Sequence, residues 1–182
     1  MPGFRRLPLL IAASLISAAL GGGSIAASEA GAANAAEPSV EVARALDAYH
    51  EAAAKADEAT YLGLMAPTGV FLGTDATERW DREAFRAFVH PYFSQGRGWT
   101  FVPRDRRIQL AANGQVAWFD ELLDSASYGE CRGTGVLEKI DGAWRIQQYH
   151  LTIPMPNELA KDFVARIREA KQNAPAAASA QP

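Results

Sequence analysis

An Asp141-Gly142 pair stands between two runs of alternating apolar and polar residues, Cys131 to Lys139 before it and Ala143 to Leu151 after it. Such a pair forces a tight reversal, because a type I′ turn needs positive φ at both central residues and few side chains other than Asn, Asp and Gly tolerate it. A second such turn, Asn113-Gly114, joins Arg106–Leu110 to Val116–Leu123, and a loop over Asp124 to Ser127 joins that strand to Cys131. Four consecutive antiparallel strands are predicted. Strands locked by fixed turns also fix which side chains share a face.

Counting outward from the turns puts Ile108, Leu110, Ala117, Phe119, Leu123, Leu137, Trp144 and Ile146 on one apolar face. Towards one end the same count adds Arg106, Glu121, Cys131, Gln148 and His150, with Gly133 and Gly135 leaving room beside them. Trp118 and Tyr149 fall on the opposite face. A curved sheet whose inner face turns polar at one end describes a pocket. A single β-bulge would exchange the faces beyond it.

Upstream the pattern is helical. Ser39 is placed to cap a helix with Val42, Leu46, Tyr49 and Ala53 on one side, and Asp57–Leu64 gives a second, shorter helix. Gly69–Gly73 reads as a short strand, and a third helix starts at Trp80-Asp81 and stops at His90-Pro91. Helices stacked on one face of an antiparallel meander give an α+β cone. After Pro154 and Pro156, Leu159, Phe163, Val164 and Ile167 form the stripe of one further amphipathic helix.

The amino terminus has the layout of an export signal: Arg5-Arg6, then the apolar run Leu7–Leu20, then small residues with Ser24-Ile25-Ala26 and Ala33-Asn34-Ala35 as cleavage motifs. That run is short beside the roughly 20 residues of a membrane span, so no stable membrane insertion is expected once the signal is removed, and a periplasmic or extracellular location is. The net charge of −3 argues against a nucleic-acid surface. Cys131, the single cysteine, excludes an internal disulfide, and no His or Cys spacing forms a metal site, so no cofactor is expected.

The helix carrying Tyr49, the Leu64–Phe71 step, His90-Pro-Tyr-Phe93 and the closing Asp141–His150 segment together resemble the SnoaL-like branch of the nuclear transport factor 2-like superfamily, over roughly residues 40–156. The resemblance implies a cone-shaped curved antiparallel sheet with three helices on its inner side, plus the carboxy-terminal helix. It divides the chain into a signal and linker (1–36), the cone (38–156), the amphipathic helix (157–172) and a tail (173–182). Members of that superfamily include ketosteroid isomerases, polyketide cyclases and dehydratases, but also binding and assembly domains. No subfamily catalytic motif is present, so chemistry rests on the residues themselves.

His150 beside Glu121 is a candidate acid/base pair, unless Arg106 and the backbone satisfy both and merely close the cone. Tyr49 or Arg106 would polarise a ligand oxygen, with Gln148, Cys131, Trp99 and Trp80 completing the ligand wall. An arginine left free would favour an anionic group. The segment Thr74–Trp80 reads either as turn and cap chemistry or as a lip over the mouth. The expected ligand is a small apolar molecule with a polar or anionic group. Trp118 and Tyr149 on the outer face predict a homodimer, and an assembly module without catalysis is the alternative function.

Overall fold

A computed structural model describes residues 23–173, with side chains described from Pro38 onward. The basic and apolar parts of the expected export signal, and the tail 174–182, lie outside the described residues. The chain divides into two units, 1–34 and 35–182, and everything below concerns the second.

Helix α1 (Gly23–Lys55) leads into α2 (Glu58–Gly63), β1 (Met65–Leu72), β2 (Arg79–Asp81) and α3 (Arg82–Phe93). The meander follows as β3 (Val102–Leu110), β4 (Val116–Ser125), β5 (Gly129–Ile140) and β6 (Ala143–Thr152), and α4 (Ala160–Asn173) comes last. The sheet order is β2-β1-β6-β5-β4-β3. The sheet is therefore mixed, not wholly antiparallel as expected, because β1 lies parallel to β6. Helices α1, α2 and α3 close one side of the curved sheet around a core that includes Val42, Leu46, Tyr61, Phe85, Phe119, Leu137 and Ile146.

Local chemistry accounts for the element ends. Asp57 accepts from Thr60 N at 3.1 Å and Asp81 accepts from Ala84 N at 2.8 Å, capping α2 and α3. Helix α1 begins sixteen residues before the expected cap at Ser39, across an alanine-rich stretch of high helix propensity. Helix α3 runs through Pro91 to Phe93 rather than stopping at His90. Its last turn is held by Phe93, buried with its ring centroid 4.7 Å from that of Trp99. Tertiary packing outweighs the proline there.

The turns set the register as read from the sequence. Asp141 (φ 50°) and Gly142 (φ 79°) pair Ile140 with Ala143, and Leu110 pairs with Ala117. Beyond Ile146 the register changes. Leu137 pairs with Ile146 but Val136 pairs with Gln148, so Gln147 is an extra residue on β6. This bulge swaps the faces of everything that follows. Tyr149 and Leu151 turn inward and are buried, while Gln148 is exposed and His150 half-exposed on the outer side.

Candidate active site in an aromatic cavity

The bulge decides the site. His150 sits opposite Thr134, on the far face of the sheet from Glu121, so these two do not form the expected pair. Gln148, displaced in the same way, does not reach the inner face either. The space beside Gly133 is filled instead by Tyr149: a Cβ at Gly133 would lie 2.4 Å from the Tyr149 hydroxyl and 3.1 Å from Glu121 Oε1.

Glu121 is fully buried and its partner is His50 from α1. His50 Nε2 lies 2.7 Å from Glu121 Oε1, and the Tyr149 hydroxyl donates to the same oxygen at 3.2 Å. Arg106 Nε donates to the other oxygen at 2.6 Å, and Arg106 Nη1 continues to Asp47 Oδ1 at 2.7 Å and the Ala43 carbonyl at 3.1 Å. Burial works to raise the Glu121 pKa, but the hydrogen bond and charge of His50, joined by Arg106, outweigh it and leave the pKa lowered. Glu121 is thus a carboxylate at neutral pH. An ionised carboxylate only accepts, so Nε2 of His50 carries the hydrogen, and in the neutral ring the lone pair lies on Nδ1.

His50 follows Val42 and Leu46 at intervals of four, so it belongs to the buried stripe of α1, and only 7% of it is exposed. Its ring lines a cavity of about 270 Å³, walled by the aromatic rings of Tyr49, Tyr61, Phe71, Trp80, Phe85, Trp99 and Tyr149, with Phe88, Tyr92 and Tyr128 nearer the surface. The walls are built by stacking: Phe71 on Phe85 at 4.2 Å and Tyr49 on Tyr61 at 4.2 Å. Burial pushes Tyr49 and Tyr149 well above the ordinary tyrosine range and Tyr61 up to about 12, so all three remain neutral phenols. The buried Tyr49 hydroxyl has no hydrogen-bond partner of normal geometry among the described residues.

Of the residues singled out from the sequence, Tyr49, Trp80 and Trp99 line the cavity. Glu121 and Arg106 stand behind it, reaching it through His50 and Tyr149. Arg106 is bound to Glu121 and Asp47 and is therefore not the free cation that an anionic ligand would need. Cys131 is buried away from the cavity, and burial raises its thiol pKa, which suits a small apolar core residue rather than a ligand contact. The segment after β1 serves both of its expected roles: Asp75 accepts from Thr77 N at 2.8 Å, and Thr74, Glu78 and Trp80 border the cavity. No cluster able to hold a metal ion occurs among the described residues.

Residues 42–156 match the SnoaL-like domain family. The chain belongs to that family. Solved structures carry the same cone. An NTF2-like protein of unknown function from Pseudomonas putida KT2440 is 15% identical, with 65% of this chain and 88% of that one aligned at a TM-score of 0.55. A DUF3225-family protein of unknown function from Pectobacterium atrosepticum is 21% identical over 67% and 94% at 0.56, and a proposed dehydratase of the NTF2-like family from Streptomyces avermitilis is 13% identical over 64% and 95% at 0.54. At these identities the likeness defines the fold alone. No curated protein matches the chain.

Proposed function

We propose that this SnoaL-like protein is a cofactor-independent proton-transfer enzyme of the isomerase or lyase type, acting on a small, largely aromatic molecule. The observation that carries the reading is His50: a buried imidazole on the wall of an aromatic cavity, held at 2.7 Å by a carboxylate with no exposed surface. A ring anchored through Nε2 has a defined tautomer and orientation, which a general base requires. Glu121, fixed by Arg106 and Tyr149, is its positioning residue. It stabilises the imidazolium that forms when Nδ1 takes a proton from carbon. The unpartnered Tyr49 hydroxyl is a neutral donor, suited to an oxygen on which negative charge develops.

The test needs no knowledge of the natural substrate. 2-Tetralone is bicyclic and apolar, with one carbonyl and acidic C–H bonds beside it. Dissolved in deuterium oxide with the protein, it should lose its C1 proton signals faster than in buffer, as followed by NMR. In this step the C–H electrons become the enolate, the proton goes to His50, and a deuteron returns to carbon. His50→Ala should lower the protein-dependent rate by about 10²–10⁴-fold, the usual worth of a positioned base. His150→Ala should leave it unchanged. Exchange no faster than in buffer, or equal in the His50 variant, refutes the assignment.

We also propose that the chain is exported and dimeric. The signal-like pattern of residues 5–35 supports export, and amino-terminal sequencing of the mature protein should begin between Ala27 and Glu37; an intact Met1 on cytoplasmic protein contradicts it. Trp118, 46% exposed on the outer face, supports association.

A further inference from the structure

We propose that Glu78 makes the cavity selective for an aromatic ligand bearing a cationic amine; the proposal rests on the reading of the cavity as a small-molecule site. The side chains lining the cavity include one carboxylate, that of Glu78, and neither a lysine nor an arginine. Glu121 is the nearest other buried acid, and its charge is already answered by Arg106 and His50. Glu78 forms no ion pair among the described residues, so a ligand ammonium would meet an uncompensated charge.

Its placement is built. Gly73 N donates to the Glu78 carbonyl at 2.8 Å, closing the loop between β1 and β2, and Asp75 N donates to Glu78 Oε2 at 3.1 Å. The glutamate folds over Gly73: a Cβ there would come within 2.2 Å of Oε2 and 2.8 Å of the Glu78 Cβ. Any other residue at 73 would push the carboxylate away from the strand end. Held there, half-buried, it borders the same space as Trp80, two residues along the chain.

The aromatic walls act in the same direction. Ring faces carry the negative side of a quadrupole and attract ammonium groups, most strongly when water is excluded. At the mouth this is already seen within the chain, where the Arg97 guanidinium lies 5.2 Å from the Tyr92 ring centroid. A ligand carboxylate would face both these rings and Glu78. The anionic group expected from the sequence is therefore disfavoured, and the amine is favoured.

Three probes of one shape separate the possibilities by calorimetric titration of the full chain: 2-naphthylmethylamine as its ammonium ion, 2-naphthylmethanol and 2-naphthoate. The ammonium should bind about tenfold more tightly than the alcohol, and 2-naphthoate most weakly. Glu78→Gln keeps an oxygen for Asp75 N but removes the charge. It should weaken the ammonium about tenfold and leave the alcohol within about twofold. If the naphthoate binds as well as the ammonium, or if Glu78→Gln leaves the preference intact, the proposal is overturned while the cavity reading stands. If none of the three binds, the cavity reading falls and this proposal with it.

Discussion

A carboxylate with no exposed surface must find its hydrogen bonds inside the protein, and Glu121 finds three, from His50, Tyr149 and Arg106. Removing it would strand the largely buried Arg106 and His50. Glu121→Ala should therefore cost about 3–5 kcal/mol, the usual penalty for breaking a buried pair, measured by urea unfolding. The pH dependence has a definite sign. The folded pKa of Glu121 lies below its ordinary 4.5, so the stability it contributes is present above about pH 4.5 and is lost as pH falls through the folded value. Glu121→Gln, which cannot titrate, should flatten the acid limb of stability against pH. An acid limb unchanged in that variant would mean that other carboxylates set it.

At the level of elements, one extra residue in β6 separates what the sequence shows from what it conceals. The turns at Asn113-Gly114 and Asp141-Gly142 are local chemistry, so the meander and the faces of β3, β4 and β5 are legible from residue types alone. The inner positions of β6 run Trp144, Ile146, Tyr149, Leu151, with one step of three among steps of two. That step is the bulge, and a strict two-residue count passes over it and exchanges His150 for Tyr149. The bulge is held from neighbouring strands: Gln147 donates to Glu138 Oε2 at 2.6 Å and accepts from Thr68 Oγ1 at 3.1 Å. Those partners are 9 and 79 residues away, and the second is beyond any local pattern. His50, by contrast, was readable, since it repeats Val42 and Leu46 at helical spacing. Gly133 tests the bulged arrangement. Gly133→Ala would collide with the Tyr149 hydroxyl at 2.4 Å and should destabilise the protein by about 1–3 kcal/mol. Adding Tyr149→Phe should recover part of that loss; no recovery would place the strain elsewhere.

For the whole molecule, the bulge also removes Tyr149 from the outer face and leaves Trp118 as its large exposed aromatic there. If two copies pair through that face, Trp118→Arg should yield monomers in sedimentation at micromolar concentration, as loss of a central tryptophan contact commonly costs 2 kcal/mol or more; a wild-type monomer under the same conditions contradicts the pairing. Helix α4 presents Phe163 (48% exposed) and Ile167 (50%) without packing them on the cone. The central claim is narrower than assembly: among three histidines, the one on α1 meets the ligand. Its most direct test is the ¹⁵N spectrum of histidine-labelled protein, with each imidazole assigned by its own His→Gln variant, recorded before and after adding 2-tetralone. The His50 ring nitrogens should shift while those of His90 and His150 stay in place. A shift confined to His150, with His50 unmoved, would contradict the site.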